Sequence, residues 1–305
     1  MDETKIKRTA LMSAYLRAHH AVYAMPKIFD DFMAPRLLTE EDLVAFDNAM
    51  ATALPIIDPE RAAQCPDRVD AIKSMVQSYF PTSLFLSRSR YTEDHLKAAI
   101  QQGITQYVIL GAGMDTFAFR NPELQHNFQI FEIDHPATQD FKRKRLTELG
   151  WDIPSNLHFI PVDFTKQKLH TELANTLYDP KAPTFFSWLG VIHYLPYDVV
   201  FHTLRTITDI SPAGSKIIFD YWDNDAFIPE KAAARVNIMQ AMLRQAGEPM
   251  VTGLDPSTLA SELESVGLRL VEHLSPSDIQ DSYFQNRSDD YYAYEHAYFV
   301  KAVVK

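Results

Sequence analysis

The stretch Gln106-Tyr107-Val108-Ile109-Leu110-Gly111-Ala112-Gly113-Met114-Asp115-Thr116 joins a short apolar run to a turn that contains two glycines. The run predicts a buried strand, and the residues after Thr116 have the pattern of a helix. Glycine lets the backbone adopt positive φ and lets a ligand approach it, while a helix N-terminus offers free N–H groups. The turn Gly111-Ala112-Gly113 therefore favours a nucleoside-containing cofactor, although a plain tight turn needs glycine as well.

Acidic residues follow the next two apolar runs. The run Gln129–Ile133 ends in Asp134, 21 residues after Gly113, the position from which a carboxylate accepts both ribose hydroxyls. Glu132 lies on the same strand and is a second candidate for this role. Asp163 and Phe164 follow a third run and suit an adenine, because a carboxylate accepts from the exocyclic amine and an aromatic ring covers the base.

The turn also discriminates between cofactors. A dinucleotide fingerprint needs a third glycine near the pyrophosphate, and Thr116 holds that place, which disfavours nicotinamide and flavin. S-adenosylmethionine has no phosphate and needs only the ribose acid and an open turn. Methyl transfer is therefore the preferred hypothesis. A nicotinamide-dependent oxidoreductase and a non-catalytic methyltransferase-like interaction domain remain alternatives.

The pattern along the chain predicts two regions. Residues 1–104 show helical spacing broken by prolines, and we expect a helical cap or substrate region there. Residues 105–305 alternate apolar runs with helical stretches, as in a parallel α/β sheet. The last two runs form a late pair, expected to join as a hairpin-like, antiparallel edge and separated by the polar loop Ser275–Asp290. The predicted strands are Gln106–Leu110, Gln129–Ile133, Leu157–Pro161, Thr184–Leu189, Ser215–Asp220, Leu268–His273 and Ala297–Val303.

Composition narrows the partners and the compartment. The chain has 305 residues and a net charge of −11 without a Lys/Arg-rich block, which disfavours nucleic acid as a partner. Cys65 is the only cysteine, and the histidines lack a ligand spacing such as HExxH, so we expect neither a disulfide nor a metal. No leader pattern or membrane-length apolar run is present, and a cytoplasmic location is expected.

Two longer motifs carry a family resemblance. Gly111–Arg120 (GAGMDTFAFR) together with Phe131–Pro136 (FEIDHP) resembles the leucine carboxyl methyltransferase family of S-adenosylmethionine-dependent enzymes. The resemblance extends to Ser87–Tyr91 (SRSRY) and to Tyr194–Pro196 (YLP), and it covers about residues 85 to 220. It implies an α/β fold with a Rossmann-like seven-stranded methyltransferase sheet, helices on both faces and an N-terminal helical cap.

The resemblance also implies roles for single residues. Arg90 would pair with the methionine carboxylate of the cofactor, in preference to Arg88. Gly111 would line the cofactor, Asp134 would hold the ribose, and Asp163 and Phe164 would meet the adenine. One position departs from the family, which commonly has a glutamate late in the fourth strand where this chain has Leu189. The protein therefore resembles a branch different from the phosphatase-modifying members.

The methyl acceptor is the least defined part of the sequence. A small-molecule carboxylate or hydroxyl, such as a natural product, is expected; a carboxylate needs an anchor, whereas a phenol benefits from a base. His193 follows the fourth strand and is the candidate base, with Tyr194 beside it. Tyr221 and Trp222 follow the fifth strand and are expected to line the acceptor pocket. His19 is expected to reach the pocket from the cap, with His20 as its neighbour.

Overall fold

The computed structural model describes residues 3–164 and 169–305, with the side chains of residues 3–9 left out. Seven strands form one sheet in the order β3-β2-β1-β4-β5-β7-β6. Strands β1 to β5 are parallel, and β7 runs antiparallel to both β5 and β6. The strands are β1 (Gln106–Leu110), β2 (Gln129–Asp134), β3 (Leu157–Pro161), β4 (Thr184–Trp188), β5 (Lys216–Trp222), β6 (Leu268–Leu274) and β7 (Ala297–Val304).

Five α-helices precede the sheet and seven are inserted among its strands within the described ranges. The first five are α1 (Glu3–Tyr23), α2 (Glu40–Ile57), α3 (Pro59–Gln64), α4 (Arg68–Ser74) and α5 (Thr82–Gln101). The others are α6 (Phe117–Arg120), α7 (Pro136–Glu148), α8 (Leu169–Ala174), α9 (Tyr197–Ile210), α10 (Ala234–Ala246), α11 (Leu259–Ser265) and α12 (Pro276–Tyr283).

Alternation along the strands divides the core into two layers. Tyr107 and Ile109 of β1 pack with α5, α10 and α12, whereas Val108 and Leu110 face α8, α9 and α11. Side chains of a strand alternate between the two faces, so a buried parallel sheet needs apolar residues at every position. This requirement explains why all five residues of β1 are buried and why apolar runs located the strands in the sequence.

The predicted α/β sheet with seven strands and helices on both faces is confirmed. Each strand begins and ends within two residues of its predicted bounds. The late pair β6 and β7 is antiparallel as expected, but the segment between them was predicted to be a polar loop and contains α12. The helix starts with a capping box, in which Ser275 and Asp278 satisfy each other's backbone N–H groups.

A separate core lies under the first helices. Tyr15, Leu37 and Phe46 pack together there with Met114 of the glycine turn and Leu146 of α7. The predicted boundary between residues 104 and 105 falls just before β1, and the assignment of 1–104 as a distinct region stays a prediction. Among the described residues, no helix combines the length and apolar character needed to cross a membrane.

Candidate functional site

The glycine turn follows β1 as predicted, and its two glycines serve different purposes. Gly111 has φ of +73°, and a Cβ added to it would lie 2.2 Å from Cγ2 of Val191, in the loop after β4. Gly113 has φ of +50°, and an added Cβ would meet nothing within 4 Å. Gly111 is therefore required by protein packing, whereas Gly113 leaves free space beside the backbone where a ligand can approach.

Asp134 lies at the C-terminal end of β2 and holds the turn in place. Its Oδ2 accepts a hydrogen bond from the N–H of Gly113 at 2.5 Å, and its Oδ1 accepts from the N–H of His135 at 2.6 Å. Burial raises the pKa of Asp134, while these two backbone hydrogen bonds oppose the shift. The structure thus brings Asp134 and Gly113 together, and the ribose contact stays a prediction.

The predicted adenine residues lie beside Asp134. Asp134 pairs in register with Pro161 of β3, and Asp163 follows two residues later. An oxygen of Asp163 is 3.8 Å from Nε2 of His135, and Phe164 packs against Trp188 with ring centroids 6.1 Å apart. Both residues therefore lie at the same edge of the sheet as the turn, and their adenine role stays a prediction.

Glu132, the second candidate for the ribose, is placed differently. Its carboxylate is fully buried and pairs with Nζ of Lys142 at 2.5 Å. Burial raises the pKa of Glu132 to about 7, against the opposing charge of Lys142. Lys142 also donates to the backbone oxygen of Asp115 at 2.7 Å. Glu132 therefore holds Lys142, which in turn binds the backbone of the turn. Because its carboxylate is fully buried in this ion pair, the prediction of Glu132 as a ribose ligand is wrong.

A cavity of about 680 Å³ opens beside the turn. It is lined by residues 110–115 and by the ends of β4 and β5 on one side. Side chains of α1, α2, α5 and α10 form the other side. One space is therefore bounded by both the turn and the N-terminal helices, and its size suits a small-molecule ligand.

Arg88, rather than Arg90, lines this cavity. Both residues lie on α5, but the side chain of Arg90 is 49% exposed and pairs with Asp94 at 2.6 Å. The side chain of Arg88 is 12% exposed, and its Nη1 donates to Asp220 at 2.9 Å. The predicted preference for Arg90 is not supported by this geometry, because residues two apart on a helix point in different directions.

Asp220 supplies an acid near the position where the family glutamate is missing. Leu189 lines the cavity with an apolar side chain, as the sequence predicts. Asp220 of β5 is buried and accepts from the N–H of Gly190 at 2.6 Å as well as from Arg88. A Cβ on Gly190 would lie 2.5 Å from Nη2 of Arg88, so glycine at this position gives the guanidinium its room.

His193 and Tyr194, the predicted catalytic pair, both line the cavity. The ring of His193 is buried and packs against Tyr194 and Trp222, and its Nδ1 has no hydrogen-bond partner in the described part of the chain. Burial lowers the pKa of His193 to about 4, so the ring is neutral at pH 7. Burial raises the pKa of Tyr194, which therefore remains a phenol.

The three residues predicted to line the acceptor pocket are separated by the structure. Trp222 lines the cavity, whereas Tyr221 points to the opposite face of the sheet and hydrogen-bonds to Nε2 of His273 at 2.8 Å. His19 lies outside the lining, between the rings of Tyr15 and Tyr23. Trp222 therefore remains a candidate for lining the acceptor pocket. The predicted placement of Tyr221 and His19 in that pocket is wrong, because neither side chain lines the cavity.

His20, the neighbour of His19, has a structural contact. Its Nε2 accepts a hydrogen bond from the backbone N–H of Ile28 at 2.9 Å, and its ring packs on that of Tyr291. The side chain is fully buried and does not line the cavity. His20 therefore fixes the chain after α1 and does not reach the acceptor.

A buried ion network, not found by sequence reasoning, joins the N-terminal helices to the turn. Asp31 pairs with Nε of Arg17 at 2.9 Å and accepts from the hydroxyl of Thr116 at 2.7 Å. Arg120 of α6 lies 3.4 Å from Asp31 and also pairs with Glu93 of α5. Arg17 further donates to the backbone oxygen of Met114 at 2.7 Å. Only the three-dimensional fold brings together residues so distant in sequence.

The described residues contain no cluster of three or more histidine, cysteine, aspartate or glutamate side chains that could hold a metal ion.

Comparison with known proteins places this site in a family. Residues 10–208 match the family model of the leucine carboxyl methyltransferases. The chain is 37% identical over 305 residues to an inferred S-adenosyl-L-methionine-dependent methyltransferase, YktD, of Bacillus subtilis (strain 168), and the match covers 100% of both chains.

Two solved structures resemble the fold at low sequence identity. One is a DUF574 family protein from Streptomyces avermitilis MA-4680, with a TM-score of 0.57, 14% identity and coverage of 96% of this chain and 97% of that one. The other is assigned as a methyltransferase from Thermobifida fusca YX, with a TM-score of 0.55, 14% identity and coverage of 88% and 100%. The chain therefore belongs to the leucine carboxyl methyltransferase family and is an S-adenosylmethionine-dependent methyltransferase.

Proposed function

We propose that this enzyme transfers a methyl group to an oxygen atom of a small molecule, a carboxylate or a hydroxyl, held in the cavity. The observation that carries the proposal is that one space of about 680 Å³ is bounded by both the cofactor turn and the N-terminal helices. A volume of this size suits a small-molecule ligand. A natural-product acceptor and a cytoplasmic location are part of the proposal.

The residues around the turn fit the cofactor. Gly113 leaves open space beside the backbone, and the Asp134 carboxylate stands next to it, where it would hold the ribose. Arg88 is one of three arginines in the described lining and, unlike Arg90, faces the cavity, so we assign to it the role of binding the methionine carboxylate. Asp163 and Phe164 would meet the adenine at the adjoining strand ends. The bound cofactor supplies an electrophilic methyl group on a sulfonium.

The protein's own task is alignment and exclusion of water. Methyl transfer from a sulfonium is an in-line displacement, so a rate gain comes from holding the acceptor oxygen opposite the leaving sulfur. Trp222, His193 and Tyr194 lie on the sheet side of the cavity, where they would orient the acceptor. The helices α1, α2 and α10 cover the other side and limit the access of water.

Calorimetric titration with S-adenosylmethionine and S-adenosylhomocysteine, with NADH and NADPH as controls, tests the cofactor part. Micromolar binding of the first two ligands alone is expected. The acceptor part is tested by incubation with labelled S-adenosylmethionine and a mixture of small carboxylic acids and phenols, with detection of methyl esters and methyl ethers. Methylation of nitrogen or carbon alone would overturn the assignment to oxygen.

The matched variants Arg88→Ala and Arg90→Ala decide which arginine binds the cofactor. Arg88→Ala should weaken the binding of S-adenosylhomocysteine by roughly 10- to 100-fold, the range for losing a charged hydrogen bond. Arg90→Ala removes an exposed pair with Asp94 and should leave the affinity unchanged. The opposite pattern would restore the role that the sequence predicts for Arg90.

A further inference from the structure

We propose that the acceptor is an uncharged, mainly apolar molecule that presents a hydroxyl group, such as a phenol or an enol. Its binding site is the acceptor chamber, which we define as the part of the cavity lined by α1, α2, α10 and Met250. The inference rests on the proposed methyl transfer to oxygen and narrows the acceptor from a carboxylate or hydroxyl to a hydroxyl.

The first argument is that the described lining offers no unpaired arginine or lysine to an anion. An acceptor carboxylate is ionised at pH 7 and requires a cationic or strong hydrogen-bonding partner when it leaves water. Among the described residues, the lining contains three arginines and no lysine. Each arginine pairs with a buried carboxylate: Arg17 with Asp31, Arg88 with Asp220 and Arg120 with Glu93.

Arg88 can hold a second carboxylate beside Asp220, but that place is assigned to the cofactor, so the described lining leaves Arg17 and Arg120 for the carboxylate of an acceptor. Arg88 already has the proposed role of binding the cofactor, and Arg17 and Arg120 are held in the ion network around Asp31. Asp115 adds one more acid to the lining. The described lining holds the acids Asp31, Glu93 and Asp115 together with three arginines, so its described charges offer an anionic acceptor no excess of positive charge.

The second argument is the apolar surface of the chamber. Six of the ten methionines of the chain line the cavity: Met12, Met50, Met114, Met239, Met242 and Met250. Methionine is flexible and polarisable, and it packs well against aromatic rings of varied shape. Just over one turn of α10 supplies Met239, Met242 and Leu243 to this wall. Such a wall suits a flat or irregular apolar molecule better than a polar one.

The third argument concerns the proton of the acceptor hydroxyl. His193 lies buried in the lining with a neutral ring, and among the described residues its Nδ1 has no hydrogen-bond partner. In the transfer, the acceptor oxygen forms a bond to the methyl carbon while the carbon–sulfur bond breaks and the sulfonium becomes a neutral sulfide. The hydroxyl proton passes to the His193 imidazole and from there to water, so atoms and charge balance.

Paired probes of one shape test the proposal. Protein loaded with S-adenosylhomocysteine is titrated at pH 7 with 2-naphthol, which is uncharged, and with 2-naphthoate, which is anionic. We expect 2-naphthol to bind at least tenfold more tightly, and S-adenosylmethionine to convert it to 2-methoxynaphthalene. Tighter binding of 2-naphthoate, formation of its methyl ester alone, or binding of neither probe to the loaded protein would overturn the proposal.

A charge placed in the chamber sharpens the test. Met242→Arg puts a cation on the α10 wall and should shift the preference toward 2-naphthoate by at least tenfold. Met25→Arg is the matched control, since Met25 is 82% exposed and outside the cavity, and it should leave the preference unchanged. An unchanged preference in Met242→Arg would place the acceptor elsewhere.

Titration of each variant with S-adenosylhomocysteine separates the two proposals. If the unaltered protein does not bind S-adenosylhomocysteine, the proposed function itself is overturned. If it binds S-adenosylhomocysteine but prefers 2-naphthoate to 2-naphthol, only the present inference is overturned. His193→Gln adds a catalytic readout: turnover of 2-naphthol should fall at least tenfold with unchanged affinity for S-adenosylhomocysteine. Full turnover would exclude His193 as the proton acceptor.

Discussion

The two sides of the cavity are held by different kinds of interaction. On the sheet side, backbone groups and glycines fix the turn, as in the hydrogen bonds from Gly113 and His135 to Asp134. On the side of the N-terminal helices, buried ion pairs centred on Asp31 fix the position of α1 against the turn. Backbone geometry leaves a local sequence pattern, whereas ion pairs between distant residues leave none. This difference explains why the sequence predicts the sheet side of the cavity and not the ion network on the side of the N-terminal helices.

Removing the charge at the centre of the ion network should have the largest effect. Asp31→Asn leaves Arg17 and Arg120 buried without their shared carboxylate, and we expect a loss of about 3–5 kcal/mol in the free energy of unfolding. Although burial opposes ionisation, Arg17 and Arg120 lower the pKa of Asp31, which is consistent with a charged residue in the folded protein. Urea denaturation measures the change.

The neighbouring residue provides the control for this experiment. Asp30 forms an exposed pair with Lys27, and Asp30→Asn should change the free energy of unfolding by less than about 1 kcal/mol. Equal effects of the two substitutions would show that the buried network does not hold the N-terminal helices.

A methyl group on the sheet side should have the next largest effect. Gly111→Ala forces positive φ on alanine and brings its Cβ against Val191, which together should cost about 2–4 kcal/mol in the free energy of unfolding. Gly103→Ala also has positive φ but meets open space, and it should cost about 1–2 kcal/mol. Partial rescue of Gly111→Ala by Val191→Ala would show that the alanine Cβ meets Val191. Equal costs for Gly111→Ala and Gly103→Ala would argue against this contact.

Removing Asp134, the carboxylate proposed to hold the ribose, should have a smaller effect, which is measured on cofactor binding. Asp134→Ala should weaken the binding of S-adenosylhomocysteine by about 1–3 kcal/mol, measured by calorimetry, since it leaves hydrogen-bond partners unsatisfied. Asp140→Ala, at an exposed position on α7, should leave the affinity unchanged. Unaltered binding in Asp134→Ala would move the ribose site away from the end of β2.

The expected effect that is smallest at neutral pH, because it appears only as the pH falls, concerns acid stability of the helical side. Burial lowers the pKa of His19 to about 4 from an ordinary 6.5, so the unfolded chain takes up this proton first as the pH falls. The free energy of unfolding therefore decreases between about pH 6.5 and 4, by up to about 1.4 kcal/mol per pH unit for this group. His19→Gln should flatten the dependence by that amount.

An exposed histidine serves as the control for the acid experiment. His202 lies on the surface of α9, and His202→Gln should leave the pH dependence of unfolding unchanged. An identical acid limb in His19→Gln and the unaltered protein would show that His19 is not buried in its neutral form.

The sequence predicts the sheet and the cofactor turn closely because both follow from local patterns. Runs of apolar residues locate the strands, and Gly113 and Asp134 meet because parallel strands end at one edge. The choice between Arg88 and Arg90 depends on the rotation of α5, which residue spacing alone does not fix. The placement of Tyr221 and Trp222 similarly depends on which face of β5 each side chain occupies.

Other features could not be derived from local pattern. Asp31 and Thr116 are 85 positions apart, and their hydrogen bond exists only because the first helices fold over the turn. The segment Ser275–Asp290 is polar, which predicts a loop, yet the capping box at Ser275 and Asp278 begins a helix there. The same signature of serine followed by an acid three residues later is visible in the sequence and could have identified α12.

The glycine turn proposed to bind the cofactor is anchored from several directions at once. Asp134 binds its amide at Gly113, Lys142 binds its carbonyl at Asp115, and Arg17 binds its carbonyl at Met114. The conformational entropy of these residues is therefore lost when the protein folds and not when the ligand arrives. A cofactor bound at this turn as proposed would not have to order these residues, and hydrogen exchange of the Gly113 amide should be slow before any ligand is added.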